Sequence, residues 1–328
     1  MSTYRYIIAG IYLFLVAFAT FATLSDPTQK DCEKEKKPYI PVVFITLLFI
    51  HAMALIAIFA IKNPKWITIA FIVFLSMAFG LSITAGQHRL YTHESYTVNN
   101  QALEWFYFLF NLVGMSSPTI EWVKTHKQHH KYSDTCKDPH FDNTFRYSHI
   151  GWIIRDHEIE QEILNTPTVK NVQRNKILQF QKQYYIPLVI IVQIILFMIP
   201  LLWGDFWNGF WLHFIRLVIG LNAEFSVNSL AHYFGYRPYD PTIKPSQNLL
   251  VTTFGMGEGY HNYHHTYPKD FRASGSFYNL NPTTWFLLLC YRLGWISNLR
   301  FHLNDDEQIN PYPYEKEIID DTVYHKLT

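Results

Sequence analysis

Four apolar blocks, grouped as two close pairs, restrict the folds open to this 328-residue chain more than any other feature. Residues 41–61 and 66–86 are separated by the KNPK turn, and 185–203 and about 206–227 by the WGD turn. Each block is about 20 residues long, enough to cross roughly 30 Å of hydrocarbon at about 1.5 Å per residue. Connections this short permit only an antiparallel return, so each pair reads as a helical hairpin. Helices buried in a soluble domain are usually amphipathic; these are apolar all round, which suits a lipid surround. The expected fold is all-α, an integral membrane protein with four transmembrane helices.

Charge sets the expected orientation. The polar regions 87–184 and 229–328 hold 11 and 8 of the 27 Lys and Arg residues, whereas the WGD turn holds none. Basic segments stay on the cytoplasmic side, so both regions are expected there as a helical cap, with the two turns on the opposite face. Lys62 and Lys65 in the KNPK turn run against this asymmetry. The apolar block 7–24 is a possible fifth segment, spanning or lying on the surface, and with its charged linker makes up residues 1–40. Cys32, Cys136 and Cys290 show no paired spacing and fit a reducing face. No nucleic-acid partner is expected.

The histidines carry the chemistry. HKQHH (His126, His129, His130) and HNYHH (His261, His264, His265) repeat one HxxHH spacing, and on a helix residues at i, i+3 and i+4 share a face. Each box can therefore aim up to three imidazole nitrogens at one point. His88 and His93 in HRLYTH lie about 140° apart on an ideal helix, so they converge only if the helix ends or if they serve two metals. His232, in NSLAHYFG, follows Asn228 by one turn. Nine histidines exceed what one ion accepts, which favours two, and imidazole suits iron, zinc, copper or nickel. Asp134, Asp138 and Glu258, near the boxes, read either as carboxylates that orient imidazoles or as solvated loop charges. A pH sensor gains nothing from repeated helical spacing, and a transporter would carry its polar ligands near the bilayer midplane.

These residues, with ITAGQHRLYTH, EWVKTHKQHHKYSDT, DPH, SHIGW, VNSLAHYFGYRPYD, GEGYHNYHHTYPKDF and NPTT, resemble the membrane acyl-CoA desaturases of the stearoyl-CoA Δ9-desaturase family from about residue 41 to 300. The resemblance implies that residues 41–328 form a desaturase domain in the endoplasmic reticulum membrane, its active site facing the cytosol. It implies an oxidoreductase that uses O2 and two electrons to place a double bond in an acyl-CoA chain, in unsaturated fatty acid biosynthesis. The implied cofactors are two iron ions held by His88, His93, His126, His129, His130, His232, His261, His264 and His265, with Asn228 acting through a water. Because the chain has no HPGG-like haem motif, the implied electron donors are cytochrome b5 and its NAD(P)H-dependent reductase, with Lys124, Lys127 and Lys131 as a possible docking surface.

The chain departs from the family where the substrate is held. Ser116–Ser117 and Lys124–Thr125 stand where a Gln-Asn and an Arg-Asp pair are usual, which bears on whether CoA is the carrier. Trp122 is kept, but LNATW becomes LNAEF, which puts Glu224 for a threonine at the implied bend of the tunnel and Phe225 for a tryptophan. Ser76 and Gly80 stand near the implied tunnel end, small enough either to leave it open or to allow close helix packing. A related lipid hydroxylase, a desaturase of other regiochemistry or carrier, and a non-catalytic membrane metal-binding protein are the alternatives.

Overall fold

The computed structural model describes residues 38–277, 279–303, 314–320 and 322–327. The block 7–24 and its linker up to residue 37 lie outside them. Helix α1 (Pro41–Ala60) and α2 (Trp66–Leu81) form the first hairpin. After α2 the same helix widens to a π-helix (Ser82–Thr92), followed by α3 (Gln101–Gly114) and α4 (Thr119–Tyr132). A second π-turn (Tyr147–Gly151) precedes α5 (Gln161–Leu164), α6 (Pro167–Arg174) and α7 (Lys176–Gln183). The second hairpin is α8 (Tyr185–Met198), which ends in a 3-10 turn (Ile199–Trp203), and α9 (Phe206–Tyr233). Helices α10 (Leu249–Phe254), α11 (His261–Thr266) and α12 (Pro282–Arg292) complete the cap.

Among the described residues, four helical stretches are long and apolar enough to cross a membrane: Pro41–Ala60, Trp66–Thr92, Tyr185–Trp203 and Phe206–Tyr233. Two run further than the sequence suggested, because α2 continues through the first histidine pair and α9 through His232. Their outer faces are apolar, with Phe59 72%, Trp66 78% and Leu202 83% exposed, as lipid contact requires. Helix α9 is the centre of the bundle. Phe214, Leu217 and Val218 pack on Ile50 and Ala54 of α1, and Leu75 of α2 meets Val113 and Leu196.

The two short turns are tied together. Asp205 accepts from the Lys65 amide (2.9 Å) and the Thr68 hydroxyl, and Asn208 pairs with the backbone of Lys62 through both amide atoms (2.9 and 3.0 Å). Since α2 and α9 both begin here and both end at histidines, the turns and the histidine cap occupy opposite ends of the bundle. Helix α3 ends inside the protein, where its last carbonyls have no helical partner. The Gln193 amide donates to Leu112 O (3.0 Å) and Arg216 to Val113 O (2.9 Å), so buried polar side chains of α8 and α9 cap that end.

The cap is not purely helical, a correction to the all-α expectation. Thr97–Val98 (β1) pairs antiparallel with Ile296–Ser297 (β2), and Arg300–Phe301 (β3), Tyr314–Ile319 (β4) and Thr322–Leu327 (β5) form a sheet in the order β3-β5-β4. The β4–β5 hairpin turns at Asp320, whose φ is 48°. Tyr324 and Leu327 are buried, and Leu327 joins a core with Leu299 and Phe301. Cys136 is disulfide-bonded, contrary to the unpaired cysteines expected, while Cys290 is free and buried.

Candidate metal centre

Helix α4 presents HKQHH to the centre of the cap because its N-terminus is pinned and its middle is anchored from behind. The buried Gln181 side chain accepts the Thr119 amide (2.9 Å) and donates to Asn111 (3.1 Å). Gln128, between the histidines, donates to Lys137 O (2.9 Å) and Glu158 O (3.0 Å) and accepts the Glu160 amide (2.8 Å). Asn262 does the same in HNYHH, accepting the Tyr239 amide (2.9 Å) and donating to Asp240 O (2.8 Å) and Pro245 O (3.0 Å). The non-histidine polar residues of each box thus fix the backbone that aims the imidazoles.

The nine histidines form two groups, His88, His93, His126, His130 and His264 in one, and His129, His232, His261 and His265 in the other. Within each group the candidate ligand nitrogens all lie within 4.8 Å of one another. In the first, Nε2 of His264 is 2.8 Å from that of His88 and 3.0 Å from that of His130, which is 3.1 Å from that of His126. In the second, Nε2 of His261 is 3.0 Å from that of His232 and 3.1 Å from that of His265. The π-helix answers how His88 and His93 converge: the His93 amide donates to His88 O (3.1 Å), an i→i+5 bond that brings residues five apart onto one face. Their ring centroids are 4.8 Å apart.

Three carboxylates decide which nitrogen points inward. His88 Nδ1 lies 2.9 Å from Glu258, His129 Nδ1 2.9 Å from Asp138, and His232 Nδ1 3.1 Å from Asp134. A carboxylate only accepts, so Nδ1 carries the proton in each pair and Nε2 offers its lone pair to the centre. The other side of Glu258 is held by buried Arg89 at 2.9 Å. Asp134 has φ 57°, and this tight turn after α4 brings its amide onto Asp138 (2.8 Å) and both carboxylates back against the imidazoles.

Burial, and then the neighbouring imidazoles, push His93, His126, His130, His261, His264 and His265 well below the usual histidine pKa. At His129 burial also pulls downward, but the charge and hydrogen bond of Asp138 lift the pKa above its usual value. Neutral lone pairs converging this closely repel one another unless a cation lies between them, and buried Nε2 of His93 and of His129 have no hydrogen-bond partner. The donor set fits imidazole-preferring transition-metal ions, in two sites.

A cavity of about 250 Å³ adjoins both groups, reaching His88, His126 and His261. Ser76, Gly80, Trp122, Glu224 and Asn228 line it. Trp122 Nε1 donates to Glu224 Oε1 (3.1 Å), Ser116 Oγ contacts the same oxygen (3.2 Å), and the Trp122 ring stacks on His126 at 4.5 Å. Phe225 does not line the cavity. It points the other way and packs with Leu47 and Leu221, since adjacent helix positions face different directions. Gly80 serves close packing as well, because a Cβ there would stand 2.9 Å from Met256 Cγ. Lys124 is nine-tenths buried on Glu121 (3.1 Å) and Lys131 pairs with Glu162, so these two are engaged within the cap.

Two participants were missed. His140, in DPH, lines the cavity, stacks on His129 at 4.7 Å and shares a candidate ligand group with His129 and Asp138. Arg89 sat in plain view inside HRLYTH, but its partner Glu258 lies 169 residues away.

The sequence profile described as "Fatty acid desaturase" matches residues 64–287. Among curated proteins, the chain is 39% identical to an acyl-CoA Delta(11) desaturase of Trichoplusia ni over 275 residues, 81% of this chain and 78% of that protein. It is 39% identical to a stearoyl-CoA desaturase of Capra hircus over 270 residues (80% and 75%) and 38% identical to that of Homo sapiens over 280 (82% and 77%). With paired histidine groups on the wall of an apolar cavity, a profile match over residues 64–287 and relatives 38–39% identical over 80–82% of its length, the chain belongs to the fatty acid desaturase family.

Proposed function

We propose that this acyl-CoA desaturase places a Δ9 double bond in a saturated chain, using O2 and electrons delivered by cytochrome b5 and its NAD(P)H-dependent reductase, in unsaturated fatty acid biosynthesis. The observation that carries the reading is the meeting of two buried histidine groups with an apolar cavity of chain-like lining. Stearoyl-CoA desaturases among the relatives support Δ9, and a Δ11 enzyme of equal identity is the competing regiochemistry. We assign the five-histidine and four-histidine groups to two irons, with Asn228 holding a water at one of them, and residues 41–328 to the desaturase domain.

When bound, the two irons supply an oxidant able to break an unactivated methylene C–H bond, which no amino-acid side chain can do. The protein's part is positioning. Glu258, Asp138 and Asp134 hold imidazoles in the tautomer that presents Nε2. Trp122, fixed by Glu224 and stacked on His126, narrows the cavity beside one group. Phe79, Ile83, Val227 and Met256 keep water from the chain.

We further place the chain in the endoplasmic reticulum membrane with the histidine cap in the cytosol, supported by the distribution of Lys and Arg. The disulfide at Cys136 argues the other way, so sidedness is tested directly below. Expression in cells lacking their own desaturase, followed by mass spectrometry of the lipids, tests the reaction. An alkene at C9 is expected; an alkene elsewhere corrects the regiochemistry, and an alcohol assigns the related hydroxylase.

A further inference from the structure

We propose that the cavity opens sideways into the bilayer, and that the methyl end of a long acyl chain leaves the protein through that opening. The inference rests on the acyl-CoA reading above. Most cavity-lining residues near the histidines, such as His88, His126, Met256, Glu258 and His261, are buried. Besides Ser117, exposed just before α4, four lining residues are exposed: Met77 by 42%, Ile219 by 45%, Phe254 by 62%, and Thr253 next to Phe254. A side chain that both lines a cavity and presents much of its surface outside stands on the rim of an opening.

Those four residues fall on three elements that face lipid. Met77 belongs to α2 and Ile219 to α9, both within candidate spans. Thr253 and Phe254 end α10, whose Leu249 (73%) and Leu250 (44%) are also exposed, an apolar surface that suits the hydrocarbon boundary. Met77 precedes His88 by 11 residues, about 16 Å along a helix, so this part of the rim lies at hydrocarbon depth rather than in the aqueous cap. The walls behind the rim are small: Ser76, Gly80 and Gly220 line the cavity there. Ser76 turns its hydroxyl back onto Ile72 O (2.9 Å) and so presents no polar group to a passing chain.

An alkyl chain emerging at this rim passes from an apolar cavity into an equally apolar solvent. Methylenes beyond the rim stay out of water without any protein contact, so added length is not penalised. A closed tunnel behaves differently, because each methylene past its end must displace packed side chains. The substrate class that follows is acyl chains longer than the cavity, with no sharp upper limit of length set by the protein.

The test uses the full chain, loaded with iron, in phospholipid nanodiscs. Ile219→Cys carries an environment-sensitive fluorophore, and the bilayer contains doxyl-labelled phospholipid as quencher. Binding of a medium-chain and of a very-long-chain saturated acyl-CoA is measured separately by equilibrium dialysis. The expected result is that both bind, while only the very long chain changes the quenching at Ile219. Equal fluorescence responses to both chains would overturn the opening. Failure of either chain to bind would instead remove the acyl-CoA reading on which it rests. As a second measurement, Met77→Trp combined with Ile219→Trp fills the rim from exposed positions and should lower turnover of the very long chain relative to the medium one by about tenfold. An unchanged ratio would likewise overturn the proposal.

Discussion

At residue scale, Glu224 is the most unusual side chain in the cavity. One oxygen is held by Trp122 and Ser116, while Oε2 is buried with no hydrogen-bond partner, an arrangement that costs stability unless something in the cavity meets it. If Glu224 shapes the bend of the bound chain, Glu224→Thr shifts the double-bond position or raises activity on ordinary saturated acyl-CoA, as read by product mass spectrometry; an unaltered product profile makes it a bystander. The placement of Glu224 on the Asn228 face was legible, since residues four apart share a face. Its bond to Trp122 was not, because 102 residues separate the two. Among the candidate ligands, His129→Ala and His264→Ala should each abolish activity and lower bound iron without preventing membrane insertion. Asp138→Asn, which keeps the shape but weakens the hold on His129 Nδ1, should lower iron affinity by about 10–100-fold. Full iron content in all three variants would contradict the grouping.

At the scale of elements, the π-helix is the piece that no helical-wheel argument contains. Read as an α-helix, HRLYTH separates its histidines; widened to i→i+5 bonding, it brings both into one group. Deleting Ala85, which restores α-helical phase, should therefore swing one of the pair away and reduce iron in the five-histidine site while the spans still insert. Iron content equal to that of the native chain would show that the widening is not needed. The depressed pKa values of the box histidines make a second prediction. In the folded protein these imidazoles stay neutral, whereas in the unfolded chain they titrate near about 6.5, so as pH falls below that value the unfolded state binds more protons. Metal-free protein should lose thermal stability on acidification through this window, with His129 opposing the trend through Asp138. A melting temperature independent of pH from 7 down to about 5 would contradict it.

At the scale of the whole molecule, the hairpins were readable because runs of about 20 mostly apolar residues leave few alternatives, and the boxes were readable because helical spacing is local. What joins distant segments was not: the Asp205 and Asn208 ties between the turns, the β4–β5 hairpin against β3, and the disulfide at Cys136 all depend on pairings the linear chain does not display. Sidedness has a direct test. A membrane-impermeant maleimide should label Asn63→Cys only from the lumen of sealed microsomes and Glu160→Cys only from outside; the reverse pattern would put the cap in the lumen, where the disulfide would be at home. The central claim is that the two histidine groups hold iron to desaturate an acyl chain. The most direct measurement supplies purified, iron-loaded protein with stearoyl-CoA, O2, NADH, cytochrome b5 and its reductase, and weighs the product while counting iron per chain. The account predicts two irons and a product lighter by two hydrogens, lost together in His264→Ala; an unaltered stearoyl chain from protein carrying both irons would contradict it.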